Sequence, residues 1–323
     1  MLKNISIFVI TVTLILGFAS DLFAQRYPDH AITMVLPMAP GDALDICGRL
    51  AAEELSKLLK VPVIPVNKPG ASATVGTDAV VKAKKDGYTI LSTNSASLIN
   101  TKILQPEIVP YDPFKDLAPL GLFNNGVFVL AIRSDAPYKT LKEVVEFAKA
   151  NPGKLRCGTA GVSSISGFNV GLLKMLTGTD ITAVPFKGAA PGVTALLGGE
   201  YIEMCSTSVT ALLPHLRSRE LKAIAISQHF PEFPDVPTLA QLGYKQNLLV
   251  VWNAFYAPAR IPKEATDTLV PAIEKVVRDP TLSSKMAALG MFTEYLSPEK
   301  LLDRMREEYK MIEDIAKKFG MLK

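Results

Sequence analysis

The stretch YPDHAITMVLPMAPGDALDICGR, residues 27–49, decides the fold. Its apolar run Ile32, Met34, Val35 and Leu36 reads as a buried strand, a Pro/Gly loop follows, and Asp42 is placed to cap an amphipathic helix. Such a loop presents free backbone N–H groups at a helix N-terminus. A carboxylate or phosphate seated there gains charge-assisted hydrogen bonds and a helix-dipole contribution of roughly 0.3–2 kcal/mol. Two readings of this segment stand: an anion cradle, or an ordinary βα turn with a capped helix.

Working outward, residues 1–24 hold a single early Lys3, an apolar stretch over 5–18 and the ending Leu22-Phe23-Ala24, the pattern of a cleavable secretory signal peptide. The apolar part is too short for a stable membrane span, and no Cys stands at the cleavage point for a lipid anchor. The expectation is a soluble, exported protein. The remaining chain of about 300 residues is long enough for two α/β domains with separate cores, and two domains imply a cleft. Lys and Arg number 35 against 31 Asp and Glu, a formal charge of +4 with no dense basic run, so no nucleic-acid partner is expected. Cys47, Cys157 and Cys205 are an odd number and read as buried thiols. No C-x-x-C or H-E-x-x-H spacing occurs and only His30, His215 and His229 are available, so neither a metal nor another cofactor is expected.

Short apolar runs then alternate with helical patterns, the mark of parallel α/β architecture. Strands are expected at 63–66 and 88–93, with a helix over 73–83. Residues 123–133 read as one strand-like stretch, followed by a helix over 141–150 that Asn151-Pro152-Gly153 ends. A second strand-loop-helix unit follows: strand 155–157, the small and hydroxyl-rich loop 158–166, and a helix to about 176. Further strands are expected at 181–186, 204–208 and 223–227. Residues 248–257 form an apolar, aromatic run with Trp252, and 263 to the C-terminus reads as helices. Lys187, Ser92 and Asn94 follow strand ends, where ligands sit in parallel sheets. Trp252 could stack on a ligand or fill the core. His215 reads as a structural or surface residue.

Residue by residue, the chain resembles the substrate-binding proteins of tripartite tricarboxylate transporters, the Bug family of periplasmic receptors. The resemblance is carried by Pro40-Gly41 with Asp45 and Arg49, Val66-Asn67-Lys68-Pro69-Gly70-Ala71, Asp86-Gly87-Tyr88-Thr89 and Pro110-Tyr111-Asp112-Pro113. It continues through Asn151-Pro152-Gly153, Val184-Pro185-Phe186-Lys187-Gly188, Leu196-Leu197-Gly198-Gly199, Pro214-His215, Asp235-Val236-Pro237-Thr238 and Ala257-Pro258. It implies an α/β fold of the type II periplasmic-binding-protein kind. Lobe 1 would comprise residues 25–125 plus 249–323 and lobe 2 residues 126–248. It also implies a small organic carboxylate (mono-, di- or tricarboxylate) as ligand, the permease subunits of a membrane transporter as partners, and a monomeric receptor.

The family's ligand loops map onto 37–45 and 158–166. The expected ligand-binding residues are Met38, Ala39, Pro40, Gly41, Asp42 and Ala43 in the first loop. In the second they are Thr159, Ala160, Val162, Ser163 and Ser164, with Ser92, Asn94, Lys187 and Thr207 at neighbouring strand ends. Three positions depart from the family pattern. Asp42 stands where a Gly is usual, and either caps the helix or faces the cleft to meet an amine or hydroxyl. Ser163 replaces a frequent Gly. Around Thr207 the family often carries an Asp, whereas Ser206-Thr207-Ser208 is uncharged, which argues against an amino-acid-binding arrangement. A serine hydrolase is disfavoured because Gly161-Val162-Ser163-Ser164-Ile165 lacks the final Gly of a nucleophile elbow, and no nucleotide-binding glycine motif occurs. A ligand-presenting sensor subunit for a membrane kinase is the alternative role.

Overall fold

The computed structural model describes residues 27–161, 164–186, 188–199, 201–288, 291–318 and 320–322. The expected signal peptide lies outside them. Among the described residues, no helix is long and apolar enough to cross a membrane.

The first unit grows from β1 (Ile32–Leu36), which is buried along nearly its whole length because it lies between two parallel partners, β2 (Val63–Asn67) and β3 (Thr89–Asn94). Between β1 and β2 runs α1 (Ala43–Leu59), whose Leu44, Cys47, Ala51, Ala52 and Leu55 are buried while Arg49, Glu53 and Lys57 face water. Lys60, left-handed at φ 59°, ends it. Next, α2 (Thr74–Val81) connects β2 to β3. Beyond β3 a single π turn over Ala96–Asn100 runs into the short helix α3 (Thr101–Leu104).

Residues 123–133 are not one strand. They belong to β4 (Leu117–Gly126) and β5 (Phe128–Arg133), which lie in different sheets. Val127 is the crossing residue: the Gly126 N–H donates to Val251 on one side, and the Val127 carbonyl accepts from the Val209 N–H on the other. The apolar residues on either side suit two buried strands as well as one, and the turn-type triplet Asn124-Asn125-Gly126 between them marks the break.

The second unit continues through α4 (Leu141–Ala150), β6 (Arg156–Thr159), α5 (Ile165–Thr177), β7 (Thr182–Pro185), α6 (Ala189–Gly198), β8 (Met204–Ser208), α7 (Val209–Arg217) and β9 (Leu221–Ile226). The chain then returns to the first sheet as β10 (Trp252–Pro258) and finishes with α8 (Lys263–Val277), α9 (Pro280–Ala288), β11 (Met291–Thr293) and α10 (Pro298–Lys318). Residues 248–251 are not part of the β10 ladder. There the buried Asn169 amide takes both backbone groups of Leu249, accepting from its N–H at 2.6 Å and donating to its carbonyl at 3.0 Å. β11 corrects the expectation of helices alone after residue 263; it pairs antiparallel with β4 at the edge of the first sheet.

The strand orders are β11-β4-β10-β3-β1-β2 and β7-β6-β8-β5-β9, two mixed sheets each covered by helices. One apolar cluster joins the units: Ile165, Phe168 and Leu172 of α5 pack with Trp252, Leu301, Met305 and Ile312. Strand direction fixes where the loops emerge. β10 runs antiparallel to both β3 and β4, with Asn253 opposite Asn94, so β1, β3 and β4 all end at the edge where the chain crosses over. In the second sheet Phe128 lies opposite Ser208 and β6 is parallel to β8, so β6 and β8 also end at the crossover edge.

Candidate functional site

The first loop is braced from within α1. The Asp45 carboxylate, buried at 3% exposure, accepts from the Gly41 N–H at 2.8 Å, from Arg49 Nε at 2.8 Å and from Asn67 Nδ2 at 2.8 Å. Asn67 also donates to the Met38 carbonyl at 3.0 Å, and Arg49 donates to Asn67 Oδ1 at 2.6 Å. Burial pushes the Asp45 carboxyl up, but hydrogen bonds from Asn67 and Gly41 and the Arg49 charge together hold it below the usual carboxylate range. Asp42 is the helix cap: its Oδ1 accepts from the Leu44 N–H at 2.8 Å. Ala39, Pro40, Gly41 and Asp42 are exposed, and Ala43 is the first residue of α1. Gly41 sits at φ 85°, with open space where a Cβ would stand.

A second backbone cradle lies beside it. Gly70, Ala71, Ser72 and Ala73 take positive φ in succession (136°, 44°, 54° and 73°), and α2 starts at once without a side-chain cap. Such a run turns consecutive N–H groups toward one side. Gly76 lets α2 lie against the first loop, since a Cβ there would come within 2.6 Å of the Lys68 carbonyl and 2.8 Å of Pro37 Cβ. Between the two cradles is a cavity of about 290 Å³ whose wall includes Met38, Ser72, Asn94, Asn100, Thr101 and Gln105. Asn94 Oδ1 accepts from the Ser97 N–H at 2.8 Å. Ser92, one pleat further back along β3, is fully buried and does not reach this wall; its hydroxyl has no protein partner.

In the second unit, β6 ends at Thr159, whose carbonyl accepts from the Phe186 N–H. The loop beyond it closes on itself. The Ala160 N–H donates to Ser166 Oγ at 2.8 Å, Ser164 Oγ donates to the Gly161 carbonyl at 2.6 Å, and Ser164 caps α5 by accepting from the Gly167 N–H at 3.1 Å. The Ala160 N–H and the Ser164 hydroxyl, both expected to face a ligand, are thus committed within the loop. Thr159 and Thr207 line a narrow crevice with Gly158, Ala160 and Ser206, and are 2% and 4% exposed. Val162, Ser163 and Lys187 lie outside the described residues. Trp252 is core rather than cavity wall, fully buried with its Nε1 donating to Glu308. His215 sits at the surface, 2.9 Å from Glu220.

Cys47, Cys157 and Cys205 are buried free thiols, and burial pushes Cys47 up to about 12. Among the described residues, no three His, Cys, Asp or Glu side chains gather as a metal site would require. Sequence reading had assigned no role to Asp45, Asn67, Ser72 or Asn100. The i,i+4 spacing of Asp45 and Arg49 was a usable signal for the first of these; the others depend on contacts between distant segments.

The profile of the tripartite tricarboxylate transporter family receptor matches residues 47–321. Protein BugT of Bordetella pertussis is 31% identical over 323 residues, spanning 99% of this chain and 97% of that one. The crystal structure of a TctC solute-binding protein from Polaromonas, without ligand, superposes with a TM-score of 0.83 at 26% identity, covering 90% of this chain and 99% of that one. MatC from Rhodopseudomonas palustris with bound malate superposes with a TM-score of 0.67 at 28% identity, covering 90% and 99%. With two mixed α/β sheets joined through crossover strands and the match running almost end to end, this chain belongs to the tripartite tricarboxylate transporter receptor family, the Bug-type periplasmic solute-binding proteins.

Proposed function

We propose that this protein captures a small organic carboxylate between lobe 1 (residues 25–125 plus 249–323) and lobe 2 (residues 126–248) and delivers it, as a monomer, to the permease subunits of a tripartite tricarboxylate transporter. The observation that carries this reading is directional: β1, β3, β6 and β8 all end at the edges bordering the crossover, so the loops after them face one space. The first loop enters that space with exposed backbone and no bulky side chain at Gly41. Malate bound to MatC supports the ligand class.

In this reading Met38, Ala39, Pro40, Gly41, Asp42 and Ala43 form one side of the site. Pro40 carries no N–H, and the Gly41 and Asp42 N–H groups are held by the Asp45 carboxylate and the Ala39 carbonyl, so the donors are the loop's other backbone N–H groups. Thr159 and Thr207 stand on the other side, and Val162, Ser163 and Lys187 are assigned to the ligand by the family resemblance alone. A ligand touching both lobes favours the closed form by its differential affinity, and closure creates the surface a permease reads. Asp42, spent as a cap, leaves anion binding to neighbouring N–H groups.

A thermal-shift screen of carboxylates tests the reading. Saturation at 100 times the dissociation constant stabilises by about 2.7 kcal/mol, a visible shift. Gly41→Val, which places a branched side chain at φ 85° in the open space above the loop, should abolish that shift, with the ligand-free melting point lowered by backbone strain, so affinity is read on the folded variant by calorimetry. Unchanged affinity in this variant would refute the first-loop assignment. Delivery is tested by ligand uptake in cells carrying the neighbouring permease genes with and without this receptor.

A further inference from the structure

We propose that the open edge of β9 is a docking groove for an extended, acidic segment of a partner protein, which adds to the second sheet as a further strand. The inference goes beyond the ligand reading and does not depend on it. β9 (Leu221–Ile226) stands last in the strand order of that sheet, and β5 takes only one of its sides. An edge strand presents backbone N–H and C=O groups that can pair with an arriving strand. The chain itself uses the far end of this edge: the Ile226 N–H donates to the Pro237 carbonyl, and Ile226 forms a parallel bridge with Thr238. Before that point the same segment stands off the edge, curling through turns in which the Phe233 N–H donates to the Phe230 carbonyl and the Val236 N–H to the Phe233 carbonyl. Residues 221–224 therefore line a groove of about 800 Å³ whose opposite wall is this turn segment.

The lining comes from both faces of the sheet. Leu141 and Ile224 belong to the apolar cluster that also takes Leu130 and Ile132 of β5, whereas Leu216, Leu221 and Val236 belong to the cluster that takes Val129 and Ala131. Successive residues of a strand point to opposite faces, so a groove lined from both clusters lies in the plane of the sheet, where an added strand belongs. Its rim is basic: Lys139, Lys142, Arg219 and Lys222 line it against a single acid, Asp235, and all five are exposed. Of the neighbouring acids, Glu143 accepts from the Lys139 N–H, and Glu220 is held by His215 and Ser218. Lys222 on the strand itself, together with the bulge where β9 passes Leu130 and Ala131, discourages indiscriminate edge pairing. An acidic segment with apolar residues between its carboxylates overcomes that discouragement, because its charges meet the cations of the rim while its apolar side chains meet the floor.

Calorimetry and hydrogen exchange on the purified protein test this with an end-blocked peptide alternating glutamate and valine. Its controls are the lysine–valine counterpart and a glutamate–valine peptide N-methylated at every residue, which has no N–H to pair. The glutamate peptide should bind at least about tenfold tighter than either control, weaken as salt rises, and slow exchange of the outward amides within residues 222–225. Arg219→Glu with Lys222→Glu, both at exposed positions, should reverse the preference toward the lysine peptide while the carboxylate thermal shift stays as in the wild type. Failure of the glutamate peptide to bind, equal binding by the methylated peptide, protection confined to another surface, or a preference that does not reverse would each overturn the proposal. So would binding of phosphatidylglycerol vesicles in place of the peptide. Every one of these results leaves the receptor reading intact, and the wild-type panel decides the matter should the variant not fold.

Discussion

Replacing Glu308 with glutamine should stabilise this protein above neutral pH and do little below pH 4.5. Glu308 lies on α10, buried at 7% exposure under the crossover strand β10, where Trp252 Nε1 donates to its Oε2 at 2.5 Å and its Oε1 has no protein partner. Burial lifts its carboxyl from the ordinary 4.5 to about 7, outweighing the Trp252 hydrogen bond and the Arg304 charge. The folded chain therefore holds this proton more tightly than the unfolded chain. Between those two values the native state binds more protons, so its stability falls as pH rises, and the loss is complete above about 7.

At 1.36 kcal/mol for each tenfold change in proton affinity, the interval from 4.5 to about 7 amounts to about 3 kcal/mol. Glutamine keeps the acceptor for Trp252 and cannot ionise. With an unfolding entropy of about 0.6 kcal/mol/K for a chain of this size, the gain at pH 8 is about 5 °C in melting temperature. Melts of the wild type and Glu308→Gln from pH 4 to 8.5 measure the difference directly. A difference that stays flat with pH, or a variant less stable at pH 8, would refute the argument, because only an ionising buried group produces the slope.

Asp45→Asn should cost about 1–3 kcal/mol at pH 7 by weakening the bonds to Gly41, Arg49 and Asn67, with a larger loss of ligand affinity as the first loop loosens. Because the Asp45 carboxyl is held below its ordinary range, its contribution is fully present above that range and disappears as pH falls through the lowered value. The variant should therefore lose least in acid, and urea melts at pH 3.5 and 7 check the sign. The three thiols, all buried with raised pKa values, should be silent to a disulfide reagent in the native protein, and all three should react in denaturant; prompt native labelling would contradict their placement.

Much of the architecture was legible in the sequence because its elements are locally specified. The alternation of β1 with the amphipathic stripe of α1 follows from hydrophobic period, and the Asp42 cap from one residue type at one position. The break at Val127 was not read from the sequence, although the turn-type triplet Asn124-Asn125-Gly126 ends β4 just before it. Nor was β11, three residues of half-buried edge strand among helices. In the candidate site, Met38, assigned through the family's first ligand loop, and Asn94, through its position after a strand, line the cavity, whereas Ser92 lies behind it and Ala160 is tied to Ser166. Strand-end position says that a residue is near the functional edge; it does not say which hydrogen bonds its backbone has already spent.

Local sequence alone determined the strand-loop-helix units, the capped helices and the alternating α/β order, because propensity, capping and hydrophobic period act over a few residues. Tertiary structure decided what those units do together. Asp45 braces the loop only once Asn67 from β2 arrives beside it, α2 approaches Pro37 only because Gly76 leaves room, and Asn100 loses its water only when the segments around it close. Each of these depends on contacts between residues far apart in the chain, and their energies come from desolvation, which no short window of sequence contains.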